Sequence, residues 1–240
     1  MRLHSWRKRV KIVELVLILI KCSLLTAIGP MFVKHKRAYT SRIIHAWARS
    51  MLHALKVHYK IFNPLAFEFQ PDRPYIIMSN HASHFDIPLI YVAFPREIIG
   101  MIAKKELFDI PFFGRGMRFS GCVSIDRENK YRAIKDLEAA EKNLLTGVRF
   151  WIAPEGTRSH TGKLGEFKRG GFKIALDVKA IIVPVTIVGS GKVLPTKTFD
   201  VSVDEKVDIY IGKPIDTADY QRQDLDKLIK DTANEIASKL

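Results

Sequence analysis

From Asn63-Pro64 onward, short apolar runs alternate with stretches whose apolar residues return at helical spacing. The runs at 75–79, 98–103, 122–126, 149–153, 181–188 and 206–211 have the length and bounding polar residues of strands. Between them, 87–94, 130–145 and 171–178 read as helices, and 217–239 as a last one. In the longest internal helix, Ala133, Ile134, Leu137, Ala140 and Leu144 recur three and four residues apart and mark one buried stripe. Strand and helix in alternation predict an α/β fold: a mixed, mostly parallel sheet with helices on its faces. No internal repeat or low-complexity tract interrupts the pattern. Binding sites in such sheets lie beyond the carboxyl ends of the strands.

The first quarter is different. Residues 10–33 are mostly aliphatic, broken by Lys11, Glu14 and Lys21, which spacings of three and seven place on one helical stripe. Ile12, Val13, Leu15, Val16, Leu17, Leu19 and Ile20 fill the other faces. A second helix is expected over 42–58, with Ile43, Ile44, Trp47, Met51, Ala54 and Leu55 on one side and His45, Arg49, His53 and Lys56 opposite. That basic stripe has two readings, a solvated face over a packed core or a face turned to lipid phosphates. The expected division is 1–62 as a pair of membrane-associated helices and 63–240 as the α/β domain.

Charge sharpens this division. The chain of 240 residues carries +14, and the first sixty residues, with thirteen Lys and Arg against the single acid Glu14, supply +12 of it. Such a concentration meets a polyanion, nucleic acid or an anionic membrane. The aliphatic content of 10–33 would be wasted on nucleic acid, so the expected partner is the bilayer. The uncharged runs 15–20 and 22–33 are short, the second holds Gly29-Pro30, and basic clusters flank both ends. This favours a helix that dips into one leaflet and returns over a single span. Glu14 and Lys21 spoil a signal-peptide core. Cys22 and Cys122 lie one in each region, so no structural disulfide is expected and a reducing compartment is the default.

The chemistry concentrates at strand exits. Ser79-Asn80-His81-Ala82-Ser83-His84-Phe85-Asp86 follows the apolar run 75–79, with a histidine at the exit and a carboxylate five residues on. That spacing lets Asp86 take a hydrogen bond from one imidazole nitrogen of His81 and leaves the other as a proton acceptor. It is a base without its own nucleophile, so the substrate is expected to supply the hydroxyl. A further apolar run ends in Ala153-Pro154-Glu155-Gly156-Thr157-Arg158-Ser159; Gly121-Cys122-Val123-Ser124-Ile125-Asp126-Arg127 lies between the two, and Ile181-Ile182-Val183-Pro184-Val185 follows.

In this order the four segments resemble the motif blocks of the glycerolipid acyltransferases, above all the 1-acyl-glycerol-3-phosphate (lysophosphatidate) acyltransferases. The resemblance runs from about residue 75 to about residue 189, roughly half the chain. It implies that His81 acts as general base on an acceptor alcohol attacking an acyl thioester, with Asp86 aligning it. It also implies an acceptor-binding set of Arg127, Glu155, Gly156, Thr157 and Arg158, joined by Lys104 and with Lys105 as a further candidate. Pro184 and its neighbours offer no polar side chain and read as a pocket wall. One departure is Ala153, where an aromatic residue commonly stands in the family.

His81-x2-His84-x-Asp86 could suggest a metal, but the catalytic half has no other His or Cys cluster, so neither metal nor cofactor is expected. Acyl-CoA or acyl-carrier protein would be co-substrate, and membrane phospholipids, lysophosphatidate and the thioester donor the partners. Membrane association with the active site on the cytoplasmic face is expected (the inner membrane, if bacterial). Another acceptor, such as glycerol-3-phosphate, another lysophospholipid or an amino-lipid, or a non-catalytic basic membrane-binding role, are the alternatives.

Overall fold

The computed structural model describes the backbone of residues 5–125 and 130–240, and the side chains of 6–124 and 138–240. The chain opens with helix α1 (Ser5–Ile28), a 3-10 turn at Gly29–Met31, helix α2 (Lys36–Ala54) and strand β1 (His58–Phe62). Then follow β2 (Tyr75–Ser79), α3 (Asp86–Ala93), β3 (Ile99–Lys104), α4 (Lys105–Phe108), α5 (Phe113–Phe119) and β4 (Val123–Ile125). Next come α6 (Lys130–Leu145), β5 (Arg149–Ile152), α7 (Gly170–Asp177), β6 (Ile181–Val188) and α8 (Ser190–Val193). The last elements are β7 (Lys206–Ile211), β8 (Ile215–Asp216), two 3-10 turns and α9 (Leu225–Ala237).

The strands form a sheet in the order β1-β7-β6-β2-β5-β3-β4, with β8 also on β6. β2, β3, β4, β5 and β6 run parallel, β7 and β8 pair with β6 antiparallel, and β1 lies parallel to β7. This is the mixed, mostly parallel sheet flanked by helices that the alternation predicts. Its consequence for function is geometric: the chain leaves β2, β3, β4, β5 and β6 at one common edge.

β2 is central and wholly buried, as an apolar strand covered on both faces must be. Its alternation divides the core. Ile77 packs with Leu89 and Ile90 of α3, Leu52 of α2 and Val183 and Val185 of β6. Ile76 and Met78 face the other way, toward Phe150, Phe172, Ile182, Leu228 and Ile236. In α6, Ala140 and Leu144 are buried as the stripe requires; Ala133, Ile134 and Leu137 lie outside the described side chains.

Two strands escaped the pattern. β1 is exposed along its whole length and pairs with β7 through its backbone ladder; its polar–apolar alternation spans only 58–61, too short to stand out. It places the end of the N-terminal segment, up to residue 62, inside the sheet. β8 is two residues long. The predicted helix over 217–239 is helical from Leu225; before it, Asp216 accepts from the Ala218 amide and Gln221 with Asp224 forms a capping box. These short polar side chains satisfy backbone groups locally and delay the helix.

α1 is amphipathic in the reverse sense of a soluble helix. Leu15, Ser23, Thr26 and Ala27 face inward, while Trp6, Val10, Val13, Leu17, Ile20, Leu24 and Ile28 are exposed. The inward hydroxyls are satisfied along the helix, Ser23 Oγ donating to Leu19 O (2.8 Å) and Thr26 Oγ1 to Cys22 O (2.9 Å). Trp6–Met31, 26 residues containing an 18-residue window of mean hydropathy 2.2, is long and apolar enough by length and composition to cross a membrane. On α2, His45 departs from the expected stripe. It is buried, with Nδ1 3.0 Å from Tyr91 O and Nε2 2.8 Å from Glu97 O, and ties α2 to α3. Arg49, His53 and Lys56 are exposed.

α1 meets α5 where Gly116 has no side chain: a Cβ there would sit 2.2 Å from Thr26 Oγ1. Gly116→Ala should therefore cost about 1–3 kcal/mol of stability by overpacking. Adding Thr26→Ala should recover part of that loss, because the obstructing hydroxyl is gone. Thermal unfolding of the two single variants and the double variant in detergent reads the coupling; strictly additive losses would contradict the contact.

Candidate active site

At the exit of β2 the chain cannot continue its ladder, and side chains replace it. Asn80 Nδ2 donates to Ile187 O and Asn80 Oδ1 accepts from Ile187 N, both at 2.8 Å, so the exit stays stitched to β6. Ser79 Oγ accepts from Trp151 Nε1 (2.9 Å) and donates to Asn80 O (2.9 Å). Trp151 stands edge-to-face with the His81 ring, 5.6 Å between centroids, and forms one wall of its slot. Ser83 Oγ donates to Leu194 O (2.9 Å) and so holds the loop against the segment after α8.

Asp86 opens α3 and is fully buried. Its Oδ2 accepts from the amides of Ala82 (2.8 Å) and Ser83 (2.9 Å), and lies 2.8 Å from His81 Nδ1. Three N–H donors thus converge on one carboxylate oxygen in the first turn of α3. An ionised carboxylate only accepts, so Nδ1 carries the proton and Nε2 is left with its lone pair. The His81 side chain is 16 % exposed, enough for a substrate oxygen to reach it. Asp86 Oδ1 is buried with no partner among the described residues.

The loop after β5 holds His81 from the other side. Glu155 is 6 % exposed, and its Oε1 accepts from His81 N at 2.9 Å while Oε2 accepts from Gly165 N at 2.7 Å. Ser159 N donates to His81 O at 2.7 Å. Both peptide groups of His81 are thus bound to the β5 exit. Gly156, at φ +72°, turns the chain immediately after Glu155 in a conformation that a side chain would oppose.

The expected acceptor-binding residues are spread along this edge. Gly156 is part-buried in the turn, Thr157 is exposed, and Arg158 is part-exposed. Burial and then the charge of Arg158 lower the pKa of His84 below its ordinary value, and the residue after Arg158, Ser159, is bound through its amide to His81 O. Lys104 is exposed at the end of β3, two strands from β2 and so roughly 10 Å along the edge. Arg127 lies outside the described residues, after the strand that pairs with β3. Val183, Pro184 and Val185 are buried in β6, the wall that their apolar character predicts. Among the described residues no group of three His, Cys, Asp or Glu is placed to hold a metal ion.

Several residues here carried no legible signal. Asn80 and Trp151 orient the β2-exit loop through contacts to strands far away in sequence, which spacing cannot reveal. Lys168, one basic residue among many, lies against the Gly156 turn.

A family model described as Acyltransferase matches residues 65–188, more than half the chain. A chloroplastic 1-acyl-sn-glycerol-3-phosphate acyltransferase of Arabidopsis thaliana is 32% identical over 187 residues, covering 77% of this chain and 51% of its own. The Saccharomyces cerevisiae 1-acyl-sn-glycerol-3-phosphate acyltransferase is 35% identical over 171 residues, 70% of this chain and 53% of its own. The human alpha enzyme of the same name is 37% identical over 123 residues, 51% of this chain and 43% of its own. The chain thus spans about half the length of the curated relatives it matches. The crystal structure of the 1-acyl-sn-glycerophosphate acyltransferase from Thermotoga maritima superposes with a TM-score of 0.75 at 24% identity, covering 94% of each chain, and shares the fold.

The Glu155 contacts make a direct prediction. Glu155→Gln keeps the size of the side chain but turns an NH2 toward one of two amides that both require an acceptor. Thermal stability should fall by about 1–3 kcal/mol; an unchanged unfolding midpoint would contradict the clamp.

Proposed function

The chain belongs to the acyltransferase family, and on that premise we propose that it moves a fatty acyl chain from a thioester to the sn-2 hydroxyl of 1-acyl-glycerol-3-phosphate, giving phosphatidate. The observation that carries this reading is the His81–Asp86 pair at 2.8 Å, a polarised base at the mouth of a strand exit. The substrate hydroxyl serves as nucleophile.

His81 Nε2 takes the proton of that hydroxyl as its oxygen attacks the thioester carbonyl. The tetrahedral adduct collapses, the carbon–sulfur bond breaks, and the proton held on His81 passes to the leaving sulfur. Asp86 steadies the imidazolium between these two events. Arg158, Lys104 and Arg127 hold the acceptor's phosphate, guanidinium forks matching its oxygens. Gly156 and Thr157 shape the turn beneath it. Glu155 acts on the substrate only through the backbone it clamps. Acyl-CoA and acyl-carrier protein both present the required thioester.

Acceptor and product are amphiphiles of a bilayer, and the outward apolar face of α1 supports membrane association. We assign the membrane contact to the helices of the segment 1–62, whose last residues enter the sheet as β1, and catalysis to 63–240, with the catalytic edge turned to the cytoplasmic side. The names of the relatives, all 1-acyl-sn-glycerol-3-phosphate acyltransferases, favour lysophosphatidate over other acceptors.

The purified chain, offered a panel of lysophosphatidate, glycerol-3-phosphate, other lysophospholipids and an amino-lipid with each donor, should place labelled acyl groups chiefly in phosphatidate. His81→Ala should lower kcat by at least about 10³-fold, and Asp86→Asn on the order of 10³–10⁴-fold, with the fold intact by circular dichroism. Arg158→Ala should mainly raise KM for the acceptor, by about tenfold. Full turnover in His81→Ala would remove the mechanism.

A further inference from the structure

Residues 159–169 leave the Glu155 turn and return over it, and the returning segment brings a cation that the expected set lacks. We infer that the ammonium of Lys168 is a second fixed cation for the acceptor's phosphate, working with Arg158; the inference rests on the acyltransferase reading above.

The backbone of Lys168 is bound to the turn itself, its amide donating to Pro154 O at 2.7 Å. Upstream, Gly165 N is held by Glu155 and Ser159 Oγ donates to Lys163 O, both at 2.7 Å, so the loop closes on itself before reaching Lys168. The preceding residue, Phe167, is buried and stacks 6.1 Å from Phe172 of α7, which anchors the segment in the core. From this fixed origin the Lys168 stem crosses Gly156. Its Cγ lies 3.5 Å from where a Cβ on Gly156 would stand. Arg158 follows Gly156 in the same turn, two residues later, and is part-exposed.

Charge makes the assignment. Lys168 is exposed, and among the described residues no carboxylate pairs with Lys168 or with Arg158. The carboxylate of the turn, Glu155, already accepts two backbone N–H groups and is buried. Two like charges brought to one turn, neither paired with a carboxylate among the described residues, repel each other, and an anion arriving between them removes that cost. A phosphate monoester suits the place because it carries close to two negative charges near neutral pH and three acceptor oxygens. The guanidinium takes two oxygens as a fork, and the ammonium on its flexible stem follows the third as a point charge.

Equilibrium dialysis of the purified full chain against labelled lysophosphatidate and the matching monoacylglycerol, which lacks the phosphate, tests this. Lys168→Met should weaken lysophosphatidate binding about tenfold and leave monoacylglycerol binding within about twofold; Lys168→Arg should return to within about threefold of wild type. Unchanged lysophosphatidate affinity in Lys168→Met, an equal loss for both ligands, or no recovery with arginine would each overturn the assignment. Turnover in the same preparations separates this from the parent reading. A wild type that binds lysophosphatidate without acylating it sinks the proposed function and leaves the cation in place, and one that binds neither ligand overturns both.

Discussion

The site depends on how one residue's backbone is held. His81 stands where β2 ends, and a strand exit left to itself would expose its peptide groups to water and wander. Here its N–H is bound by a buried carboxylate and its C=O by an amide, both from the loop after β5. The ring is fixed separately, by Asp86 through Nδ1 and by the edge-to-face contact of Trp151. Backbone and side chain are therefore constrained by different parts of the chain, and the lone pair on Nε2 points where the sheet edge dictates. Glu155 is a scaffold in this arrangement: a buried charge is tolerable because two backbone donors meet it.

Parallel pairing turns that local constraint into a working surface. With β2, β3, β4, β5 and β6 aligned, base, turn and cations come from separate exits yet stand along one edge. The core is split by β2 into two clusters on opposite faces, so the edge is supported from both sides. On one of those faces α2 and α3 are joined through His45, a residue whose alternation on a helix had suggested a solvent or lipid face. Tertiary packing overrode the stripe.

What could be read from residues alone followed from periodicity and burial. β2 and β6 are apolar runs bounded by polar turns and β7 alternates with period two, so 75–79, 181–188 and 206–211 match β2, β6 and β7 to the residue. β1 was illegible because an exposed edge strand needs only a backbone partner, and β8 because two residues make no pattern. In the candidate site, His81, Asp86 and the Glu155 turn stood out by spacing after strands. The second layer did not: Asn80 to Ile187 and Trp151 to Ser79 are contacts across 107 and 72 residues, and nothing local marks them. Lys168 was hidden for another reason, since a single lysine in a basic chain acquires meaning only from the turn it crosses.

The inward surface of the second half of α1 is built of small and hydroxyl-bearing residues, Ser23, Thr26 and Ala27, and one of them lies where α5 offers bare backbone. A generic run of leucines of equal length and hydropathy would satisfy a bilayer and still fail to seat. Any foreign helix grafted in place of α1 must reproduce the alanine, serine and threonine register on its protein side. The outward side can be rewritten far more freely.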